Sequence, residues 1–174
     1  FGQDADPQTK KSVLDGIKIG GEWFVGYFYD KNDGVSKNDF AIKRGYITIA
    51  KEFNKKFSAR LTQDISVDQE GDGIGDIELR IKYAYAKYNF GDLWFLTNPS
   101  VEFGVVHRPW LSFEQKINTY RVQGRMFFER VGLVSSADYG LYFETLFGGK
   151  ISEDYQKCVN KSFPGKYGSL GLGI

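Results

Sequence analysis

Cysteine, proline, methionine and histidine are all scarce in this chain: its 174 residues include one Cys, four Pro, one Met and one His. With Cys158 alone no internal disulfide can form, a state that cytosolic and outer-membrane proteins both tolerate. Cys158 has no second histidine or metal-ligand cluster around it in sequence, so it reads as an incidental thiol rather than a nucleophile. An excess of positive charge is missing too, with 23 basic against 22 acidic side chains, and this speaks against a nucleic-acid partner. No run of about 18 apolar residues occurs, which excludes a transmembrane helix. It leaves a membrane barrel open, because a barrel strand needs only about 9 to 11 alternating residues.

What is present in quantity is glycine, at 21 residues, and aromatic side chains, at 17 per cent, both suited to strands and turns. "FSARLTQDISV" (57–67) alternates without a break: Phe57, Ala59, Leu61, Ile65 and Val67 on one side, Ser58, Arg60, Thr62, Asp64 and Ser66 on the other. Residues 17–29 alternate in the same way, and "DKNDG" then supplies turn residues. A second strand is expected over 40–53, with "NKK" (54–56) as a tight hairpin turn before residue 57. "IELRIKYAYAKYNF" puts Ile77, Leu79, Ile81, Tyr83 and Tyr85 on one face and Glu78, Arg80, Lys82, Ala84 and Ala86 on the other. Residues 100–106, 138–147 and the closing "GSLGLGI" complete about seven strands. The connections alternate between short and long, except that the stretch after residue 148 is longer than that rule wants and calls for a small extra turn or helix.

The fold class that follows is all-β: an antiparallel up-and-down transmembrane β-barrel with about seven strands present. Residues 1–14 form a polar N-terminal segment, whose "FGQDADPQTKK" reads as a mature or cut terminus without a signal peptide, and 15–174 carry the strands. Lys43, Lys51 and Lys87 are the only charges on the odd, apolar face, and all three are expected at strand ends, where lysine reaches a headgroup. Tyr27 and Tyr29 near one rim, and Phe53 and Phe57 around the opposite turn, fit aromatic girdles. Lipid should therefore meet Leu61, Ile65, Leu79 and Ile81. The competing readings are a soluble lipocalin-like barrel that binds an apolar ligand and buries those same residues, and a plugged structural barrel of the outer membrane.

Three stretches bear a family likeness. "NDFAIKRGYITIAKEFNKKFSARLTQDIS", "VEFGVVHRPWLSFEQKINTYR" and "MFFERVGLVSSADYGLYFETLFGG" resemble an early hairpin, the next strand with its proline and aromatic pair, and a loop with its return strand in the phosphate-selective porin O and P family. The resemblance covers residues 15–174 as a pattern rather than an invariant motif. Members of that family close about sixteen strands and end in an aromatic residue, so the expectation is an N-terminal portion of a larger barrel. It implies a bacterial outer-membrane location and passive diffusion of small hydrophilic solutes or anions, phosphate among them. It also implies no cofactor, no enzymatic chemistry, contact with outer-membrane lipid and lipopolysaccharide, and a homotrimer.

On that expectation the pore-lining set is Lys18, Glu22, Arg44, Arg60, Asp64, Glu78, Arg80, Lys82, Glu102 and Arg108. Basic and acidic members are nearly balanced, which favours a general solute pore over a phosphate-specific one. Centring the turns on Lys55 and near Asp72 sets a register in which Tyr46 faces Asp64, Ala50 faces Arg60, Thr62 faces Lys82 and Asp64 pairs with Arg80. Residues 107–136, with Arg121, Arg125, Glu129 and Arg130, form either a constriction loop folded into the lumen or a solvated outer loop. Asp68, Glu70, Asp72 and Asp76 could in composition hold Ca²⁺, but without EF-hand spacing they read as an acidic turn, and no metal site is expected. His107 with Ser112 or Ser100 forms no evident Ser/His/Asn hydrolase arrangement and reads as structural.

Overall fold

The computed structural model describes residues 14–67, 75–159 and 164–174. Seven strands follow one another as neighbours in a single antiparallel sheet curled into a half-barrel: β1 (Ile17–Asn32), β2 (Val35–Glu52), β3 (Phe57–Val67), β4 (Ile77–Asn89), β5 (Leu96–His107), β6 (Ala137–Phe147) and β7 (Ser169–Gly173). Between β5 and β6 lie α1 (Pro109–Ile117), a 3₁₀ turn (Arg121–Gln123) and α2 (Phe127–Arg130), and α3 (Glu153–Val159) precedes β7. No described helix is long and apolar enough to cross a membrane.

Local chemistry explains the turns. The first hairpin is tighter than "DKNDG" suggests: pairing runs to Asn32 and Val35, leaving only Asp33 and Gly34 to turn, both at positive φ. At "NKK", Asn54 Oδ1 accepts from the backbone N–H groups of Lys56 (2.8 Å) and Phe57 (2.9 Å), closing the turn with one side chain. Antiparallel order puts the β2–β3, β4–β5 and β6–β7 connections at one end of the sheet and the β1–β2, β3–β4 and β5–β6 connections at the other. α3 is the extra element the long 148–168 connection called for.

Faces follow the alternation except where bulges break it. An extra residue at Lys43 interrupts β1–β2 pairing, and an extra residue at Lys82 interrupts β3–β4. Before Lys82 the even residues of β4 face the concave side; after it the odd ones do, because one inserted residue reverses the parity. Tyr83, Tyr85 and Lys87 therefore lie on the concave face, and Ala84 and Ala86 join Ile49, Leu61 and Phe103 on the convex one. That corrects the expected faces of β4 and the headgroup position expected for Lys87, and it sets Thr62 opposite Tyr83 rather than Lys82. Lys43 is also not terminal: it sits mid-strand in β2, with its Nζ 4.4 Å from the Phe28 ring centroid.

The convex face is apolar and open, with Leu79 60% and Ile81 59% exposed, as a lipid-facing surface requires. Ile65 departs from this at 8%. It lies in the cross-strand row Trp23, Gly45, Ile65, Leu79, where the Trp23 indole spreads over Gly45 in the space a side chain would occupy. Phe24, Tyr46, Tyr83, Val106 and Tyr142 are instead buried on the concave face, together with Leu111 and Met126 from the 108–136 segment, each 1% exposed. The core is the hollow of the half-barrel.

Candidate functional site on the concave face

Cross-strand rows order the concave face. From the long-loop end toward the short-turn end they run Glu22–Tyr46–Asp64–Arg80, Gly20–Thr48–Thr62–Tyr83, Lys18–Ala50–Arg60–Tyr85–Gly104 and Glu52–Ser58–Lys87–Glu102–Tyr142. In the first row Arg80 donates to buried Asp64 Oδ2 from Nη2 (2.8 Å) and Nε (3.1 Å), so the expected pair is present. Tyr46 opposite Asp64 and Ala50 opposite Arg60 are also in place. In the second row Thr48 and Thr62 hydroxyls lie 3.0 Å apart, and Arg60 Nε donates to Thr62 Oγ1 at 2.9 Å. In the last row Lys87 sits between Glu102 (3.5 Å) and Glu144 (2.5 Å), while His107 Nδ1 lies 2.8 Å from Glu102 Oε2. The two buried acidic residues of these rows, Asp64 and Glu102, are thus each held by a cation or an imidazole.

Cations on the first rows are held differently, by aromatic faces. Arg44 Cζ lies 4.3 Å and Arg121 Cζ 5.6 Å from the Phe24 centroid. Lys82 Nζ lies 4.5 Å from the Tyr46 centroid and donates to its hydroxyl at 3.2 Å, and Arg60 Cζ lies 5.5 Å from Tyr83. Each such contact contributes about 0.5–2 kcal/mol and leaves the positive charge uncancelled.

The 108–136 segment folds against this face. Arg44 Nη2 donates to the backbone oxygens of Arg121 (2.5 Å) and Gly124 (3.2 Å), fastening the 3₁₀ turn to β2. Leu111 and Met126 are packed beneath it, and Glu114 Oε1 accepts from the Phe127 N–H at 3.2 Å, tying α2 to α1. Of the loop charges, Arg121 faces the aromatic pair, Glu129 is half-buried, and Arg125 and Arg130 are exposed. α1 divides the hollow: Ser112 and Lys116, one turn apart, line a cavity on each side. The first, about 420 Å³, is bounded by β1–β4 and carries Arg60, Lys82, Lys116 and Arg121 against Glu22 alone. The second, about 810 Å³, is bounded by β4–β7.

A half-barrel with an apolar outside and a charged inside, crossed by an inward-folded segment, is the setting for the decisive comparison: residues 16–110 match the family model described as phosphate-selective porin O and P. The chain belongs to that family. No curated protein and no solved structure shows significant similarity to it. As a porin O and P member it is an outer-membrane channel protein, of a class that conducts rather than catalyses.

The remaining expected residues of this porin also fall on or beside the concave face. Lys18 pairs with Glu52 at 2.6 Å, both exposed. Glu22 borders the first cavity, Glu78 is exposed near the long-loop end, and Arg108 pairs with Asp138 at that rim. Asp68, Glu70 and Asp72 lie outside the described residues, and among the described ones no cluster of His, Cys, Asp or Glu could hold a metal ion. Sequence reading missed Tyr83, Tyr85, Lys87, Tyr142 and Glu144. Glu144 was within reach, since β6 parity places it beside Tyr142 on the face that holds Glu102.

Proposed function

We propose that the concave face of this porin lines a water-filled pore through which small hydrophilic anions, phosphate among them, diffuse passively, with 108–136 as its constriction. The carrying observation is the first cavity. Near-balance of charge over the whole face favoured a general solute pore, but the carboxylates are not spread evenly: Asp64, Glu52, Glu102 and Glu144 are each paired away from that cavity's cations. A local excess of Arg and Lys held on π faces stabilises an anion in transit without trapping it behind a fixed counter-charge. The lining comprises Lys18, Glu22, Arg44, Arg60, Asp64, Glu78, Arg80, Lys82, Glu102 and Arg108, with Arg121 the loop charge nearest the path.

On this reading lipid surrounds the convex face, the short-turn end looks to the periplasm and the long-loop end meets lipopolysaccharide. A homotrimer is the assembly proposed, and residues 1–14 a polar lead-in to the barrel. The soluble-carrier alternative fails on the outward exposure of Leu79 and Ile81 and on the family assignment. A plugged barrel has one observation in its favour, the tight seating of Leu111 and Met126. Planar-bilayer recording separates the two. A conducting pore whose reversal potential in a salt gradient shifts toward the anion, and whose current falls when phosphate is added to chloride, supports the proposal. Insertion without conductance, or cation preference, overturns it.

A further inference from the structure

The second cavity differs from the first in its walls. α1 contributes Pro109, Trp110 and Phe113, and the strand side contributes Leu146 and Leu170. Trp110 is held edge-on by Phe128 (5.9 Å, 85°) and tilted against Phe113 (5.8 Å, 41°), so its ring has a fixed attitude although it remains exposed. Three lysines border the same space, Lys87, Lys116 and Lys150. The carboxylate in the lining, Glu144, is bound to Lys87 at 2.5 Å. Neither Lys116 nor Lys150 makes an ion pair among the described residues, although Lys116 acts electrostatically on the Glu144 carboxylate that Lys87 holds. The volume lies within the range of small-molecule sites, roughly 300–1,000 Å³.

We infer that the cavity between α1 and β4–β7 is a binding site for a small carboxylate carrying an aromatic body, the ring lying against Trp110 and Phe113 and the carboxylate meeting Lys116 and Lys150. An inorganic anion has no surface to offer the apolar wall. A neutral aromatic offers nothing to the Lys116 and Lys150 ammonium groups. Only a molecule with both parts matches the whole lining. The inference shares the concave face with the pore reading, but binding in this cavity does not require conduction.

The probe is 3-(4-fluorophenyl)propionate, followed by ¹⁹F NMR against the full chain in lipid nanodiscs, with empty nanodiscs as the reference. Saturable broadening is expected, weakened about tenfold by the Lys116→Gln/Lys150→Gln pair and about tenfold in the matching alcohol, 3-(4-fluorophenyl)propanol. Propionate and inorganic phosphate should not displace the probe at equal concentration. Trp110→Ala should abolish saturation. Ser169→Trp, which fills the cavity from β7 and leaves every residue of α1 unchanged, should do the same and keeps the test decisive if Trp110→Ala fails to fold. Equal binding of acid and alcohol, an unaltered double-lysine variant, or displacement by phosphate would overturn the assignment. Binding by a chain that carries no current upholds it while sinking the pore proposal; phosphate current without saturable binding does the reverse.

Discussion

The two cavities on either side of α1 are built from the same strands and share Ser112 and Lys116, yet their chemistry diverges. Toward β1–β4, guanidinium and ammonium groups rest on Phe24, Tyr46 and Tyr83, and the sheet offers them few carboxylates. Toward β4–β7, Lys87 is clamped between Glu102 and Glu144, and aromatic surface faces the open space instead of supporting a cation. The lesson concerns how a charge is compensated. A ring face stabilises a cation by about a kcal/mol and leaves its field in the cavity, whereas a carboxylate neutralises it. Counting charges along strands misses that distinction, and it decides which side of the helix attracts an anion.

The comparison breaks most completely if the dividing helix is dislodged. Leu111 is fully buried under α1, and Leu111→Asp forces an unpaired carboxylate into that site at a cost of about 3–5 kcal/mol. The segment should leave the sheet and merge the two cavities, raising single-channel conductance several-fold in bilayer recordings. Unchanged conductance would place 108–136 outside the ion path. Arg44→Ala cuts the two bonds to the Arg121 and Gly124 carbonyls and should give a smaller rise of the same kind.

Removing a charge sharpens the contrast without moving the wall. Lys82→Gln deletes one of the cations held on Tyr46 and should lower the anion-to-cation permeability ratio by about threefold at low salt. Reversal potentials in a potassium chloride gradient measure it, and the difference should shrink at high ionic strength. An equal effect of Lys150→Gln on that ratio would mean that both cavities belong to one path.

Arg80→Ala probes a cation that is neutralised, at the rim of the first cavity. It leaves buried Asp64 without its two charged hydrogen bonds and should cost about 2 kcal/mol. The midpoint of heat-induced unfolding on a gel-mobility assay would fall, and Asp64→Asn introduced in the same chain should recover most of the loss. A double variant as unstable as the single one would show that the pair contributes nothing.

The sequence made the regular part of this fold legible and hid the irregular part, for one reason. Period-two alternation carries the sidedness of β1, β3 and the first half of β4, and two turn centres suffice to place Asp64 against Arg80. A bulge leaves no mark in composition: Lys82 reads as one more even residue, so the crossing of Tyr83, Tyr85 and Lys87 to the inside could not be foreseen. Ile65 is buried despite its outward parity, in a row where the Trp23 indole lies across Gly45 from the first strand, and alternation carries no sign of that. The inward fold of 108–136 depends on Arg44 reaching carbonyls about eighty residues distant in the chain, a contact with no local signature. Hence most of the charged strand residues of the concave face could be named in advance, Lys87 and Glu144 excepted, while the partition into two cavities could not.

The smallest expected effect tests whether polar order on the first side matters by itself. Thr62 is buried at the centre of the sheet, shares a hydrogen bond with Thr48 and accepts from Arg60 Nε. Thr62→Val keeps the shape and removes both bonds, at about 1 kcal/mol. The consequence for function runs through Arg60: without its Thr62 acceptor, the guanidinium keeps only the Tyr83 face, 5.5 Å away, and its contact with Tyr85, and gains freedom to meet a passing anion. Stability should fall slightly while phosphate block of the current strengthens slightly. A loss of block would instead mean that Thr62 holds Arg60 in its working position, so the sign of a small change discriminates between a cation that waits in place and one that moves to its anion.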